Sequence, residues 1–196
     1  SPLLADKPEN YVLRAWVAGC ATGEEAYSIA MLLRELMDEA RHHFKVQLYS
    51  TDLDDDAIVA ARAGLYPPNI AQDVTPERLR RFFTKEDNGY RVNKEIREMV
   101  VFAVQSVIKD PPFTRIDLLS CRNLMIYLEP ALQERLVRLF HLALRPGGVL
   151  FLSPSETPGD HPELFEVLSR PWKFFRALPL SGRVPAPGQD ITWSLR

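Results

Sequence analysis

Gly19-Cys20-Ala21-Thr22-Gly23-Glu24-Glu25 is the stretch on which the reading of this chain turns. Just before it, Leu13 to Ala18 is short and mostly apolar, which predicts a buried strand. Just after it, Glu24 to about Ala40 sets Ala26, Ile29, Ala30, Leu33 and Met37 close to i, i+3, i+4, i+7 spacing, the stripe of an amphipathic helix. A glycine turn between a first strand and a helix N-terminus is where open α/β sheets bind ligands. The glycines alone require only a tight turn. The residues around them say more. No lysine follows Gly23, as a Walker phosphate loop needs. Glu24 and Glu25 occupy the positive helix end that a pyrophosphate would use, and they would repel it. A cationic ligand without phosphate suits the turn, and S-adenosylmethionine, with its sulfonium, ammonium and uncharged adenosine, fits that description.

Working outward, Lys45 to Thr51 predicts a second strand that runs into acids. Asp52, at its end, is placed to accept both hydrogen bonds of a ribose diol. Nicotinamide enzymes use the same device, so Asp52 selects adenosine without choosing the cofactor. Asp54 or Asp55 is assigned the cap of the next helix, Asp54 to Ala63, which Gly64 can end. Val100–Val104 and Ile116–Cys121 are further strands. A helix from Pro130 to Leu144 buries Leu132, Leu136, Leu139, Phe140 and Ala143, and Arg145-Pro146-Gly147-Gly148 stops it. Val149–Leu152 follows as a strand, and Trp172–Leu178 is expected as the last edge strand. Such alternation predicts a parallel three-layer α/β sheet. Pro67 to Met99 breaks the rhythm with prolines, a charged helix near Pro76–Phe83 and an Asn88-Gly89 hairpin signal. The expected division is a core of residues 11–66 and 100–178, a small inserted β-subdomain at 67–99, and linkers or tails at 1–10 and 179–196.

Composition limits the function classes. With 196 residues, 46% of them hydrophobic, the chain has ample material for a core and is not disordered throughout. No apolar run reaches the roughly 18 residues of a membrane span, so no membrane insertion is expected. A net charge of −2 argues against a nucleic-acid binder. Cys20 and Cys121, far apart and outside any CxxC pattern, are read as reduced thiols of a cytoplasmic protein. Of four histidines (His42, His43, His141, His161), the adjacent pair would diverge by about 100° on a helix, and no metal site is expected.

The run Ala18 to Ala30 resembles the CheR-type chemotaxis receptor methyltransferases. Thr51-Asp52-Leu53-Asp54 with Ala61-Arg62-Ala63-Gly64-Leu65-Tyr66, then Asp117 with Cys121-Arg122-Asn123-Leu124-Met125-Ile126-Tyr127, and then Leu144-Arg145-Pro146-Gly147-Gly148-Val149-Leu150-Phe151, carry the likeness across about residues 12 to 178. Asp110-Pro111-Pro112-Phe113 looks most like modules of large methylesterase, methyltransferase and sensor fusions. The resemblance implies a Rossmann-like class I SAM-dependent methyltransferase sheet with a small inserted β-subdomain. It also implies methyl transfer from S-adenosylmethionine to glutamates on chemoreceptor methylation helices, leaving S-adenosylhomocysteine. By the same likeness, Glu25 takes the methionine ammonium with a Gly19 backbone contact, Asp52 the ribose, and Ser106-Val107 lie beside adenine. Asn123 and Leu124 lie beneath the cofactor, and Tyr127 near the transferred methyl. Ser106 stands where the family usually has Asn, so backbone contacts are assigned there.

Two departures are visible. The family's N-terminal helical domain and its Asn-x-Thr-x-Phe-Phe-Arg linker have no match in Ser1 to Val12, as expected of an excised catalytic domain. The subdomain stretch Lys85-Glu86-Asp87-Asn88-Gly89-Tyr90-Arg91 is short and has Lys85 where a first arginine would stand. No dependence on a C-terminal pentapeptide tether is therefore expected. The competing classes are a non-catalytic module that binds S-adenosylmethionine or S-adenosylhomocysteine to sense or scaffold, and a Rossmann-type oxidoreductase, against which the acid pair after Gly23 speaks.

Overall fold

The computed structural model describes residues 11–40 and 44–179. The expected terminal linkers, Pro179 excepted, and the His42-His43 pair lie outside the described residues. The elements run β1 (Val12–Ala18), α1 (Glu24–Ala40), β2 (Lys45–Asp52), α2 (Asp55–Ala63), β3 (Leu65–Tyr66), α3 (Pro76–Phe82), β4 (Phe83–Glu86), β5 (Gly89–Val92) and α4 (Lys94–Arg97). They continue with β6 (Val100–Val104), β7 (Ile116–Cys121), α5 (Pro130–Ala143), β8 (Leu144–Leu152), β9 (Phe165–Ser169) and β10 (Phe174–Ala177).

Among the described residues the main sheet has seven strands in the order β6-β2-β1-β7-β8-β10-β9. The first five are parallel, and β10 is antiparallel to both β8 and β9. β1 is central because it can be buried on both faces. Leu13, Ala15 and Val17 pack on one side with α1 and α2 residues such as Ala26, Ile29, Ile58 and Ala61. Trp16 and Ala18 pack on the other with α5 residues Leu136, Val137 and Phe140. Trp16 meets Phe113 and Phe140 edge-on, and its indole N–H donates to Thr51 Oγ1 at 3.0 Å. The satisfied N–H is what lets so large a ring be buried.

Caps set the helix ends. The Asp54 side chain accepts from the Ala57 N–H at 3.1 Å, taking the N-cap of α2, and Gly64 closes that helix in the left-handed region at φ 58°. Thr75 caps α3 by accepting from the Arg78 N–H at 3.3 Å.

Three expectations are corrected. β8 begins at Leu144, so Arg145-Pro146-Gly147-Gly148 lies within it. Pairing jumps from Ile116↔Leu144 to Leu118↔Val149, and these four residues form the irregularity that absorbs the slip. Gly147 has φ 82°, and a Cβ on Gly148 would lie 2.8 Å from the Ile116 carbonyl. The strand expected at Trp172–Leu178 is Phe174–Ala177 and is internal; the edge is β9. β9 was hidden because only Phe165 is buried while Glu166, Val167 and Leu168 are exposed. On α5, Leu132 and Leu139 are half-buried, and Val137 and His141 take their places in the buried stripe. His141 Nε2 lies 2.8 Å from the Leu178 carbonyl, a partner that makes its burial tolerable.

A second, antiparallel sheet of three strands, in the order β3-β5-β4, stands between α2 and β6 in sequence. It starts at Leu65, two residues before the expected insertion. Asp87 and Asn88 make the β4–β5 turn, and Gly89 is obligatory after it, since a Cβ there would sit 2.0 Å from the Tyr66 carbonyl oxygen.

Candidate functional site

Because β2, β1 and β7 are parallel neighbours, their C-terminal ends bring Asp52, Gly19 and Cys121-Arg122-Asn123 to one edge of the sheet. The turn after β1 uses left-handed backbone at Gly19 (φ 74°), Ala21 (φ 45°) and Gly23 (φ 92°). It is held from β2. The Gly19 and Cys20 N–H groups donate to the Thr51 carbonyl at 2.8 and 3.0 Å. The Ala21 N–H donates to Asp52 Oδ2 at 2.8 Å, and the Asp54 N–H donates to Asp52 Oδ1 at 3.1 Å. Asp52 thus fixes the turn through one lone pair of each oxygen, which leaves each oxygen able to accept once more.

Glu25, in the first turn of α1, accepts from Ser120 Oγ at 2.5 Å and pairs with Arg122 Nη1 at 3.3 Å. The Arg122 guanidinium lies 4.9 Å from the Phe151 ring, and its Nε is buried without a hydrogen-bond partner. Leu124 lies against Gly19, where a Cβ would come within 2.5 Å of Leu124 Cδ1. This contact joins the first turn to the loop after β7. Glu24 is turned to Thr22, accepting from its hydroxyl at 2.7–2.8 Å.

Ser106 and Val107 follow β6, and the Gln105 N–H bonds the Asp52 carbonyl at 2.9 Å. Ser106 is committed to its own turn. Its N–H donates to Asp110 Oδ2 at 2.7 Å, its Oγ accepts from Ile108 and Lys109, and its carbonyl accepts from the Asp110 N–H. Val107 is buried against the core on the α5 side. Tyr127 ends a short 3₁₀ turn, Met125–Tyr127, and is 81% exposed.

One residue escaped the sequence reading. Glu156, in the loop after β8, is only 4% exposed. Its Oε1 accepts from the Leu124 and Met125 N–H groups at 3.0 and 2.9 Å. Its Oε2 accepts from the Asn123 and Ser153 N–H groups, both at 3.1 Å, and from the Ser153 hydroxyl at 2.7 Å. Burial pushes this carboxyl's pKa up, but the hydrogen bonds outweigh burial and hold it below the usual range. The available signal was Ser153-x-x-Glu156, the spacing of a capping box with no helix to cap.

Both cysteines are free and buried. Burial, then the charge of Asp52, pushes the Cys20 thiol up to about 12, and burial also raises Cys121. Neither is poised as a thiolate nucleophile. A cavity of about 810 Å³ opens at the opposite end of the sheet, lined by residues including Tyr11, Arg14, Arg115 and Arg145, and it contains none of the site residues above. Among the described residues, no helix is long and apolar enough to cross a membrane.

The family model "CheR methyltransferase, SAM binding domain" matches residues 1–174. The chain belongs to the CheR methyltransferase family. Its sheet is accordingly that of the Rossmann-like class I methyltransferases. It is 43% identical over 187 residues to an uncharacterized 104.1 kDa protein of Rhodobacter capsulatus, covering 93% of this chain and 20% of that protein. It is 32% identical over 179 residues to the chemotaxis protein methyltransferase of Borreliella burgdorferi, covering 88% and 63%. It is 34% identical over 166 residues to that of Escherichia coli K12, covering 79% and 56%. The chain thus spans less than two thirds of the length of each of these curated relatives.

Proposed function

We propose that this CheR domain transfers a methyl group from S-adenosylmethionine to glutamate side chains of a chemoreceptor, in the cytoplasm, as one module of a larger protein. The observation that carries the reading is the pair of acceptor carboxylates, Glu25 and Asp52, at the C-terminal edge of neighbouring parallel strands, in a chain of a SAM-binding family. The donor set fits the cofactor. Glu25 offers an anion to the methionine ammonium, and the Arg122 guanidinium that pairs with it through Nη1 brings a positive charge for the methionine carboxylate. The free lone pairs of Asp52 suit a ribose diol. With the Ser106 N–H taken by Asp110, the Ser106-Val107 segment would meet adenine through the Ser106 carbonyl and the Val107 backbone. Asn123 and Leu124 form the floor, and Tyr127 stands at the exposed rim, where a receptor glutamate enters.

When bound, S-adenosylmethionine supplies an activated methyl group on a sulfonium. The chain's own residues do not need to remove a proton, because a glutamate with a pKa near 4.3 is already an ionised nucleophile. Their work is to bind, orient and exclude water, which can lower such a barrier by roughly 7–11 kcal/mol. The core is proposed to hold the cofactor, and the inserted subdomain, expected at 67–99, is drawn to include β3 and so to start at Leu65.

Hydrogen bonds to charged groups contribute roughly 1.5–3 kcal/mol, so Asp52→Ala is expected to weaken S-adenosylhomocysteine binding about tenfold or more by calorimetry. Unchanged affinity contradicts the assignment. Recognition of the receptor is proposed to proceed without a C-terminal tether. Arg91 already grips Glu86 through two bonds of 2.5 and 3.0 Å and donates to the Ala63 carbonyl at 2.7 Å, which leaves little of its fork for a peptide carboxylate. Titration with tether-type pentapeptides is expected to show no saturation; low-micromolar binding lost on Arg91→Ala would overturn this.

A further inference from the structure

The least expected group in the molecule is the carboxylate of Glu156, an anion sealed inside the protein beside a site that has its own acids. Three of its five donors are the consecutive backbone N–H groups of Asn123, Leu124 and Met125. Asn123 is left-handed (φ 58°), and Leu124 (φ −110°, ψ −44°) is right-handed. That alternation makes successive N–H groups converge into a concave nest, a shape that binds anions. Here the anion is supplied by the chain itself. Left-handed backbone at a non-glycine residue has a cost, and the converged amides would repel one another without a negative charge between them. The conformation of the loop therefore depends on the charge of Glu156.

We infer that Glu156 is a positioning residue for the cofactor site, holding the Asn123–Tyr127 loop at the height at which Leu124 floors the Gly19 turn and Tyr127 faces the incoming carboxylate. The inference rests on the reading of this edge as the S-adenosylmethionine site. Glu156 touches no ligand in this account; it acts through the loop. A neutral isostere cannot substitute, because the donors are divided between both oxygens. Glutamine would turn an NH₂ toward either the Leu124 and Met125 amides or the Asn123 and Ser153 donors, leaving two or three donors facing another donor. Aspartate is one methylene short. The Asp52–Ala21 half of the site is anchored independently, so the effect is local.

The test compares the full-length protein with its Glu156→Gln and Ser153→Ala variants, using S-adenosylhomocysteine as the probe and amide hydrogen exchange as the second readout. In Glu156→Gln, exchange at Asn123, Leu124 and Met125 is expected to accelerate at least about tenfold while Val17 and Leu119, in the central strands, keep their protection. S-adenosylhomocysteine affinity falls about tenfold or more. The KM for S-adenosylmethionine rises in step while Val17 and Leu119 stay protected, a split that general destabilisation does not produce. Should Glu156→Gln fail to fold, Ser153→Ala, which removes one of the five donors, is expected to give the same pattern at about threefold. Unchanged exchange at the three amides, or accelerated exchange with unchanged S-adenosylhomocysteine affinity, overturns the inference. Absence of binding by the unsubstituted protein overturns the reading of the site itself, and that is seen before any variant is made.

Discussion

At the scale of single residues, the site is made by groups with two duties. Asp52 fixes the first turn through the Ala21 and Asp54 amides and, in the proposed function, also serves a ligand, while Leu124 fills the space that Gly19 leaves and is proposed as the floor. The prediction at Gly19 follows. Alanine there would need left-handed backbone at φ 74° and would press its Cβ to 2.5 Å from Leu124 Cδ1. Gly19→Ala is expected to cost about 1–3 kcal/mol of stability in urea melts and to weaken S-adenosylhomocysteine binding by calorimetry; a variant that matched wild type in both would contradict the packing. The placement of Glu25 and Asp52 at one edge of the sheet was legible in the sequence because both lie at fixed offsets from strand ends. Glu156 was not legible in this way. Its main partners are backbone amides more than thirty residues away, and a backbone amide leaves no mark on residue type.

Among elements, the loop after β8 that carries Glu156 is tied to α5 at its far end. His161 Nε2 lies 2.6 Å from Glu134 Oε2 and its Nδ1 3.2 Å from Glu163 Oε1, and Arg138 also pairs with Glu134. The Glu134 hydrogen bond, which outweighs burial and is helped by Glu163, raises the His161 pKa above its ordinary value near 6.5. A raised pKa means that the folded state holds the proton more tightly. This stabilisation is complete below the unfolded pKa and is lost as pH rises through the folded one. The stability difference between wild type and His161→Asn, from urea melts, is accordingly expected to be larger at pH 5.5 than at pH 9. A difference constant across that range would remove the ion pairs from the account. Elements were read well from the sequence where apolar runs or caps were unambiguous, as for β7 and for α2 between Asp54 and Gly64. They were misread where tertiary contacts override local pattern. β9, Phe165-Glu166-Val167-Leu168-Ser169, is a short edge strand with one buried residue and no sustained alternation, and Arg145-Pro146-Gly147-Gly148 reads as a stop although it continues β8 through an irregularity.

For the whole molecule, the strand order sets what the chain can do. Placing β1 between β2 and β7 gathers residues separated by about a hundred positions, from Gly19 to Asn123, at one edge, and the second sheet stands apart in the sequence between α2 and β6. The expected fold was legible because alternation of strand and helix admits few topologies. The cavity at the other end of the sheet was not, since its lining comes from positions as far apart as Tyr11, Gln47, Arg115 and Arg145. Methyl transfer to a carboxylate is tested by incubating the full-length protein with methyl-labelled S-adenosylmethionine and the methylation helices of a chemoreceptor. The predicted result is label on receptor glutamates that mild alkali releases as methanol, as a methyl ester requires, reduced about tenfold or more by Asp52→Ala. No incorporation, or label that resists alkali, would contradict it.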